Sequence, residues 1–147
     1  MIRKNILPAD NHLHTRLCKH ASGEPLQYLE TALKKGVPAI SFADHMPAPD
    51  GYDPDNRMRP DQFDLYRNMV REIQDNADIP VNYGIEADYY PGCERYLEEW
   101  LEEQRFDVVI GSVHYIQDWP FESPEGRNRW ESENTGSTWK KYFDLVT

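Results

Sequence analysis

Short apolar segments alternate with longer amphipathic segments along this chain. The short segments are runs of apolar residues, typical of buried strands, whereas the longer segments repeat apolar residues every three or four positions, typical of helices. Strands are predicted at residues 6–7, 37–42, 80–85 and 106–110. Helices are predicted at residues 25–35, 60–76, 92–104 and 138–147. The alternation predicts an α/β fold in which parallel strands are joined by helical crossovers.

Proline and glycine mark the ends of several predicted elements. Pro25 and Pro60 suit the first turn of a helix, and Gly36 suits the end of one. Two polar segments rich in proline, glycine or acidic residues are predicted to be loops, at residues 46–59 and 117–137. The chain therefore holds four β/α units, and its last helical pattern is cut at residue 147.

Four such units make up a little over half of a β/α barrel, which takes about 250 residues. The sequence predicts a single domain over residues 1–147 that is incomplete at its C-terminus. The fourth strand should then have an unpaired edge, and the last helix should carry apolar residues without full packing partners. We expect a second copy of the chain or the missing half to cover this surface; otherwise the chain should be poorly soluble. The helix residues concerned are Trp139, Tyr142, Phe143 and Val146.

Residues that can bind metals are concentrated where the predicted strands end. Imidazoles and carboxylates are ligands for zinc, manganese and iron, and further carboxylates commonly orient the imidazoles. The carboxyl ends of parallel strands meet at one edge of a sheet, where such folds place their chemistry. The sequence therefore predicts that these strand ends converge in one hydrolytic metal centre, with both long loops on the same face. The candidate residues are His12, His14, His20, His45, His114, Asp10, Asp44, Glu86 and Asp88.

The pair His12 and His14 is weak evidence by itself. In an extended segment the two rings face the same way and can converge on one ion, but a polar loop could carry two unrelated histidines equally well. The pair gains weight because His45 and His114 also follow predicted strands. The four segments together favour the metal centre over unrelated histidines.

Composition narrows the classes of partner. The 16 Lys and Arg residues against 26 Asp and Glu residues give a net charge of −10, which disfavours nucleic acid. Because we find no apolar stretch long enough for a signal peptide or a membrane span, we expect a cytoplasmic protein without a membrane partner. Cys18 and Cys93 are predicted to be reduced thiols. Cys18 is more typical of a small buried residue, although its position two residues before His20 also allows a ligand role.

Four segments of the chain closely resemble the polymerase and histidinol phosphatase (PHP) superfamily. They read HLHTRLCKHA at residues 12–21, SFADHMP at 41–47, GIEADY at 84–89 and FDVVIGSVH at 106–114. Their order and spacing make the resemblance specific, and the last two segments are most similar to the histidinol-phosphatase branch. The resemblance implies a distorted (β/α)7 barrel, of which this chain holds part.

The resemblance also implies up to three divalent metal ions, which could be zinc, manganese or iron. In that pattern His12 and His14 bind the first metal, and Glu86 bridges it to a second metal that His114 also binds. His20 and His45 bind a third. The pattern assigns supporting roles to Asp10, Asp44 and Asp88. Members of the family supply further ligands from later strands, and this sequence does not contain them.

The activity implied by the resemblance is hydrolysis of L-histidinol phosphate to L-histidinol and phosphate in histidine biosynthesis. Water activated near Glu86 would attack phosphorus, while His20 and His45 would help to hold the phosphate or the leaving oxygen. Asp44 would support these two histidines. Arg16 and Lys19 are candidates for binding phosphate, but the interpretation that they are solvated loop charges is favoured over this role.

Two alternatives stay open from the sequence. The chain could be another PHP phosphoesterase acting on a different small phosphate ester, or a truncated, inactive metal-binding fragment. On its own, we expect the 147-residue chain to bind fewer than three metals and to hydrolyse histidinol phosphate weakly or not at all. Segments carrying the later ligands should restore activity.

Overall fold

The computed structural model describes residues 8–147, in which strands and α-helices alternate. The strands are β1 (Asp10–Leu13), β2 (Ile40–Phe42), β3 (Val81–Asp88) and β4 (Val108–Ser112). The helices are α1 (Pro25–Lys35), α2 (Phe63–Asn76), α3 (Glu94–Gln104) and α4 (Thr135–Val146). Short 3-10 helices cover Arg16–Cys18, Pro60–Gln62 and Arg127–Glu131.

The four strands are parallel and form one sheet in the order β1-β2-β3-β4. Ile40 of β2 is the register partner of Asp10 on one side and of Val81 on the other. Further along β2, Phe42 is the partner of Leu13 and Tyr83. The sequence prediction of parallel β/α units is therefore confirmed, and the parallel register brings the carboxyl ends of β1, β2 and β3 to one edge.

The described chain forms two compact units. The first contains the residues up to Glu86 together with Phe106–Ile110, and the second contains Ala87–Arg105 and Gly111–Thr147. The single domain over residues 1–147 stays a prediction. The buried apolar residues of the first unit include Leu29, Ile40, Phe42, Tyr66, Val70, Ile73, Val81, Tyr83 and Ile85. In the second unit Ile116, Trp119 and Phe121 are buried, and Trp130, Tyr142 and Leu145 pack against them.

Helix α1 follows directly from its sequence. Pro25 occupies the first turn, and the side chains of Glu24 and Gln27 form a capping box at its start. Gly36 ends the helix with a left-handed φ of 72°, a conformation that glycine adopts without strain. In α2 the spacing of Tyr66 and Val70 brings both side chains into the core. Both predicted helices are confirmed to within a few residues.

Several predicted strand boundaries were wrong. Residues 6–7 lie outside the described residues, and β1 begins at Asp10, so His12 lies within this strand instead of after it. Strand β3 extends to Asp88 and therefore contains Glu86. The prediction ended this strand early because polar residues usually mark the end of a buried run, whereas here both carboxylates are buried.

The second half of the chain is more regular than its polar composition predicted. The segment 117–137 contains a 3-10 helix, and α4 begins at Thr135 because the side chain of Asn134 accepts a hydrogen bond from Ser137 N. The apolar residues Tyr96, Leu97, Trp100 and Leu101 of α3 are only partly buried. Incomplete packing of α4 is confirmed for Trp139, Phe143 and Val146, which are 43%, 56% and 53% exposed.

Within residues 8–147, each helix is too short or too polar to cross a bilayer.

Gly84 lies where β3 approaches its neighbours too closely for a side chain. A Cβ at this position would be 2.7 Å from Phe42 O and 3.0 Å from Val108 O, both of which are backbone atoms. Because the sheet cannot yield without losing hydrogen bonds, we expect Gly84→Ala to lower the free energy of unfolding by about 1–3 kcal/mol. Urea denaturation measures this. Gly111→Ala is the matched control, because a Cβ there meets nothing within 4 Å, and an equal loss in both variants would contradict the explanation.

Candidate metal centre

The first three strands bring a set of imidazoles to one edge of the sheet. His12 lies in β1 and His14 directly follows it, while His45 lies three residues after β2 and forms a parallel bridge with Glu86 of β3. Backbone bonds fix this bridge, since Glu86 N donates to Asp44 O at 2.9 Å and Met46 N donates to Glu86 O at 2.9 Å. The prediction that residues from these strand ends come together holds within the first unit.

Three imidazole nitrogens surround one carboxylate oxygen. Glu86 Oε2 lies 2.9 Å from His12 Nε2, 3.2 Å from His14 Nε2 and 3.3 Å from His45 Nδ1. The side chain of Glu86 is only 4% exposed, whereas that of His12 is 46% exposed. A buried anion is therefore surrounded by ring nitrogens, and the cluster is open to solvent on the side of His12.

These separations fit ligands that share a metal ion. Ligands about 2.0–2.1 Å from one ion lie about 3.3 Å apart in tetrahedral geometry and about 2.9 Å apart in octahedral geometry. The separations of 2.9–3.3 Å fall in this range, and imidazole with carboxylate is a donor set for zinc, manganese and iron. His12, His14 and Glu86 therefore fit as a cation site.

A second group of possible ligands lies beside the first. His14, Cys18 and His20 offer ligand atoms within 4.8 Å of one another. The ring centroids of His20 and His45 lie 5.2 Å apart. The first unit therefore gathers four of the five histidines.

Cys18 is buried between two of the candidate ligands. Its Sγ lies 3.2 Å from His14 Nδ1 and accepts a hydrogen bond from His45 N at 3.1 Å. Burial is the main cause that raises the pKa of the Cys18 thiol, and the carboxylate of Asp44 adds to it. The structure thus agrees with the prediction of a small buried residue at the centre, and both described cysteines are free thiols.

Asp44 joins the ends of the first two strands. It is fully buried, and its two carboxylate oxygens accept hydrogen bonds from Thr15 N and Thr15 Oγ1, each at 2.5 Å. Burial raises the pKa of Asp44, while the two bonds from Thr15 act to lower it. Because Thr15 follows His14 and Asp44 precedes His45, this connection fixes the spacing of the two histidines.

Replacement of Asp44 by asparagine should disturb this connection. The amide offers one acceptor oxygen for two Thr15 donors, so one buried donor loses its partner and we expect a loss of about 1–3 kcal/mol in unfolding free energy. Urea denaturation of the metal-free protein measures this. Asp64→Asn is the control, because Asp64 is exposed and pairs with Arg67 at the surface. Equal midpoints for both variants would show that the Thr15 contacts contribute nothing.

His114 belongs to the second unit. Its Nε2 lies 2.8 Å from Asp88 Oδ1, an oxygen that also accepts a hydrogen bond from Ser112 Oγ at 2.8 Å. The other ring nitrogen contacts the carboxylate of Glu122. Carboxylates commonly fix the ring orientation of metal-binding histidines in this way. The assignment of His114 to a second metal stays a prediction.

The basic residues proposed for phosphate make other contacts. Arg16 Nε lies 2.6 Å from Glu24 Oε1 at the surface, and Lys19 Nζ donates to Pro54 O. Their role in phosphate binding stays a prediction. Asp10 accepts a hydrogen bond from His12 N at 3.3 Å, and so supports the backbone of a candidate ligand.

Three residues that contact candidate site residues, or lie in the loop beside them, were not predicted from the sequence. Thr15 and Glu122 contact Asp44 and His114 respectively, and Arg57 is buried in the loop that follows His45. Threonine, glutamate and arginine are ordinary loop residues, so no local pattern distinguishes them. Only the threonine, which directly follows His14, could have been suspected from its position.

Comparison with known proteins gives consistent matches. Residues 10–146 match the model of the PHP domain. The chain is 40% identical over 139 residues to the probable histidinol-phosphatase of Deinococcus radiodurans, covering 93% of this chain and 54% of that protein. It is 31% identical over 118 residues to the histidinol-phosphatase of Bacillus subtilis, covering 74% of this chain and 44% of that protein. The chain thus spans about half the length of the curated relatives that it matches.

The fold is also similar to a solved structure. A crystal structure of the proposed histidinol phosphatase HisK from Listeria monocytogenes aligns with a TM-score of 0.63 and 18% sequence identity. The alignment covers 83% of this chain and 52% of that chain. At this identity the likeness shows a shared fold.

Proposed function

Because the chain belongs to the PHP domain family, we propose that it is part of a metal-dependent phosphomonoester hydrolase acting on L-histidinol phosphate. The observation that carries the proposal is the convergence of three imidazole nitrogens on one buried oxygen of Glu86. The names of the curated relatives support L-histidinol phosphate as the substrate. The products are L-histidinol and phosphate, and the reaction belongs to histidine biosynthesis.

The proposed ligands are those of the sequence prediction. They are His12, His14, His20, His45, Glu86 and His114. Zinc, manganese or iron bound by these residues would lower the pKa of water and neutralise phosphoryl oxygens. Up to three such ions are proposed.

The chain's own residues provide the frame for this chemistry. Glu86 places a negative charge among the imidazoles, which are neutral when they bind metal. Asp44 holds the His14 and His45 segments at fixed spacing through Thr15. Arg16 and Lys19 lie on either side of Cys18, and we propose them for the approaching phosphate because of their charge and position.

Full activity is proposed for a protein longer than this chain, because the relatives are about twice as long. The exposed apolar residues of α4 support association with a second copy or with the remaining part of such a protein. The same proposal includes a small phosphate ester as the substrate and a cytoplasmic location. It includes neither a nucleic acid nor a membrane partner. An inactive metal-binding fragment and a phosphoesterase with another substrate are the alternative outcomes of its test.

The test is a phosphate-release assay with added Mn²⁺ or Zn²⁺. L-histidinol phosphate is compared with a generic aryl phosphate and a dinucleotide, for this chain and for a form extended to the length of the relatives. We expect the extended form to hydrolyse histidinol phosphate with the highest kcat/KM. An extended, metal-loaded protein that prefers another ester would overturn the substrate, and one without any hydrolysis would overturn the enzymatic function.

A further inference from the structure

A buried arginine lies in the loop that follows His45. This loop covers residues 46–59, and Arg57 within it is only 2% exposed. Burying a guanidinium is costly unless its donors are used, and an apolar side chain would fill the same space at lower cost. The burial of this cation therefore indicates that its hydrogen bonds have a specific structural role.

Arg57 lies near the end of the loop, and its guanidinium contacts both the start and the middle of the loop. Its Nη1 donates to Met46 O at 3.0 Å, and its Nε donates to Asp53 O at 3.1 Å. Its Nη2 lies 3.6 Å from the carboxylate of Asp53, and its Cζ lies over the Tyr52 ring, 4.9 Å from the ring centroid. Asp53 has a left-handed φ of 43°, a conformation that is uncommon outside glycine, and both its carbonyl and its carboxylate contact Arg57. Arg57 is thus the centre of the folded loop.

The same contacts reach the candidate ligands. Met46 directly follows His45, and its N–H donates to Glu86 O while its carbonyl accepts from Arg57. The loop also accepts a hydrogen bond at Pro54 O from Lys19, the residue before His20. One folded loop is therefore attached next to His45 and next to His20.

We propose that Arg57 is a positioning residue of the metal centre. By holding Met46 from its carbonyl side, the guanidinium fixes the backbone that places His45 Nδ1 beside Glu86 Oε2. The planar, multiply donating guanidinium is needed, since a lysine ammonium cannot satisfy two carbonyls and a carboxylate in this fixed arrangement. The inference rests on the proposed function only in that it takes His45 as a metal ligand.

The test measures Co²⁺ binding, because the visible spectrum of Co²⁺ reports the geometry of its ligands. We expect Arg57→Lys to weaken Co²⁺ binding by about 10–100-fold and to change the spectrum, as is typical when a residue that supports a ligand is replaced. Arg59→Lys is the matched control in the same segment, because Arg59 pairs with Asp61 at the surface. This control should bind Co²⁺ as the wild type does.

A second variant tests the chemistry of the side chain. Arg57 borders a cavity of about 490 Å³, and we expect free guanidinium to reach the space that Arg57→Ala leaves through this cavity. Millimolar guanidinium should restore Co²⁺ affinity to Arg57→Ala and leave the wild type unchanged. If folded Arg57→Lys binds Co²⁺ with wild-type affinity and spectrum, the positioning role is wrong. If the wild type itself binds no Co²⁺, the proposed metal centre fails first and this inference fails with it.

Discussion

Replacing Glu86 by glutamine should nearly abolish metal binding and the proposed phosphatase activity. The substitution keeps the shape of the side chain but removes the negative charge at the oxygen that three imidazoles approach within 3.3 Å. Metal ions contribute several kcal/mol of transition-state stabilisation, so we expect kcat/KM to fall by about 100-fold or more. Metal content per chain, measured after gel filtration, should fall in parallel.

The matched control is Glu102→Gln on α3. Glu102 is an exposed carboxylate, so the same loss of charge there should leave metal content and activity unchanged. Wild-type metal content in Glu86→Gln would show that the imidazoles converge on Glu86 for structural reasons alone.

Removal of metal should markedly lower the thermal stability of the chain. An ion that binds only the folded state at about 100 times its Kd adds about 2.7 kcal/mol, which for a chain of this size corresponds to a rise of roughly 5–10 °C in Tm. Differential scanning calorimetry with Zn²⁺ and then with excess chelator measures the difference. The same comparison on Glu86→Gln should show little change, and an equal shift in both proteins would place the stabilising ion elsewhere.

The sequence was most informative where local rules decide the structure. Pro25 and Gly36 mark the ends of α1 because proline lacks a donor and glycine tolerates a left-handed φ, and both effects act within a few residues. The alternation of strands and helices predicted the parallel sheet, because a helix between two strands allows them to run in the same direction. The resemblance to the PHP superfamily was carried by four segments, and the match over residues 10–146 confirms it.

The parts that the sequence did not predict depend on contacts between distant residues. The end of β3 was missed because Glu86 and Asp88 are polar yet buried, which only the surrounding imidazoles and hydroxyls can stabilise. No local pattern marks Arg57 as buried, because its burial depends on the carbonyls of Met46 and Asp53 that the folded loop brings together. Such residues are recognised from three-dimensional packing.

Residues from three strand ends are proposed to hold a metal ion at Glu86. The most direct test is anomalous diffraction from crystals soaked in Zn²⁺, recorded on both sides of the zinc absorption edge. We expect an anomalous peak about 2.0–2.2 Å from Glu86 Oε2 and His14 Nε2, with further imidazole nitrogens completing the coordination of the zinc. Crystals without a peak at these residues, or with zinc bound only at other sites, would contradict this proposal.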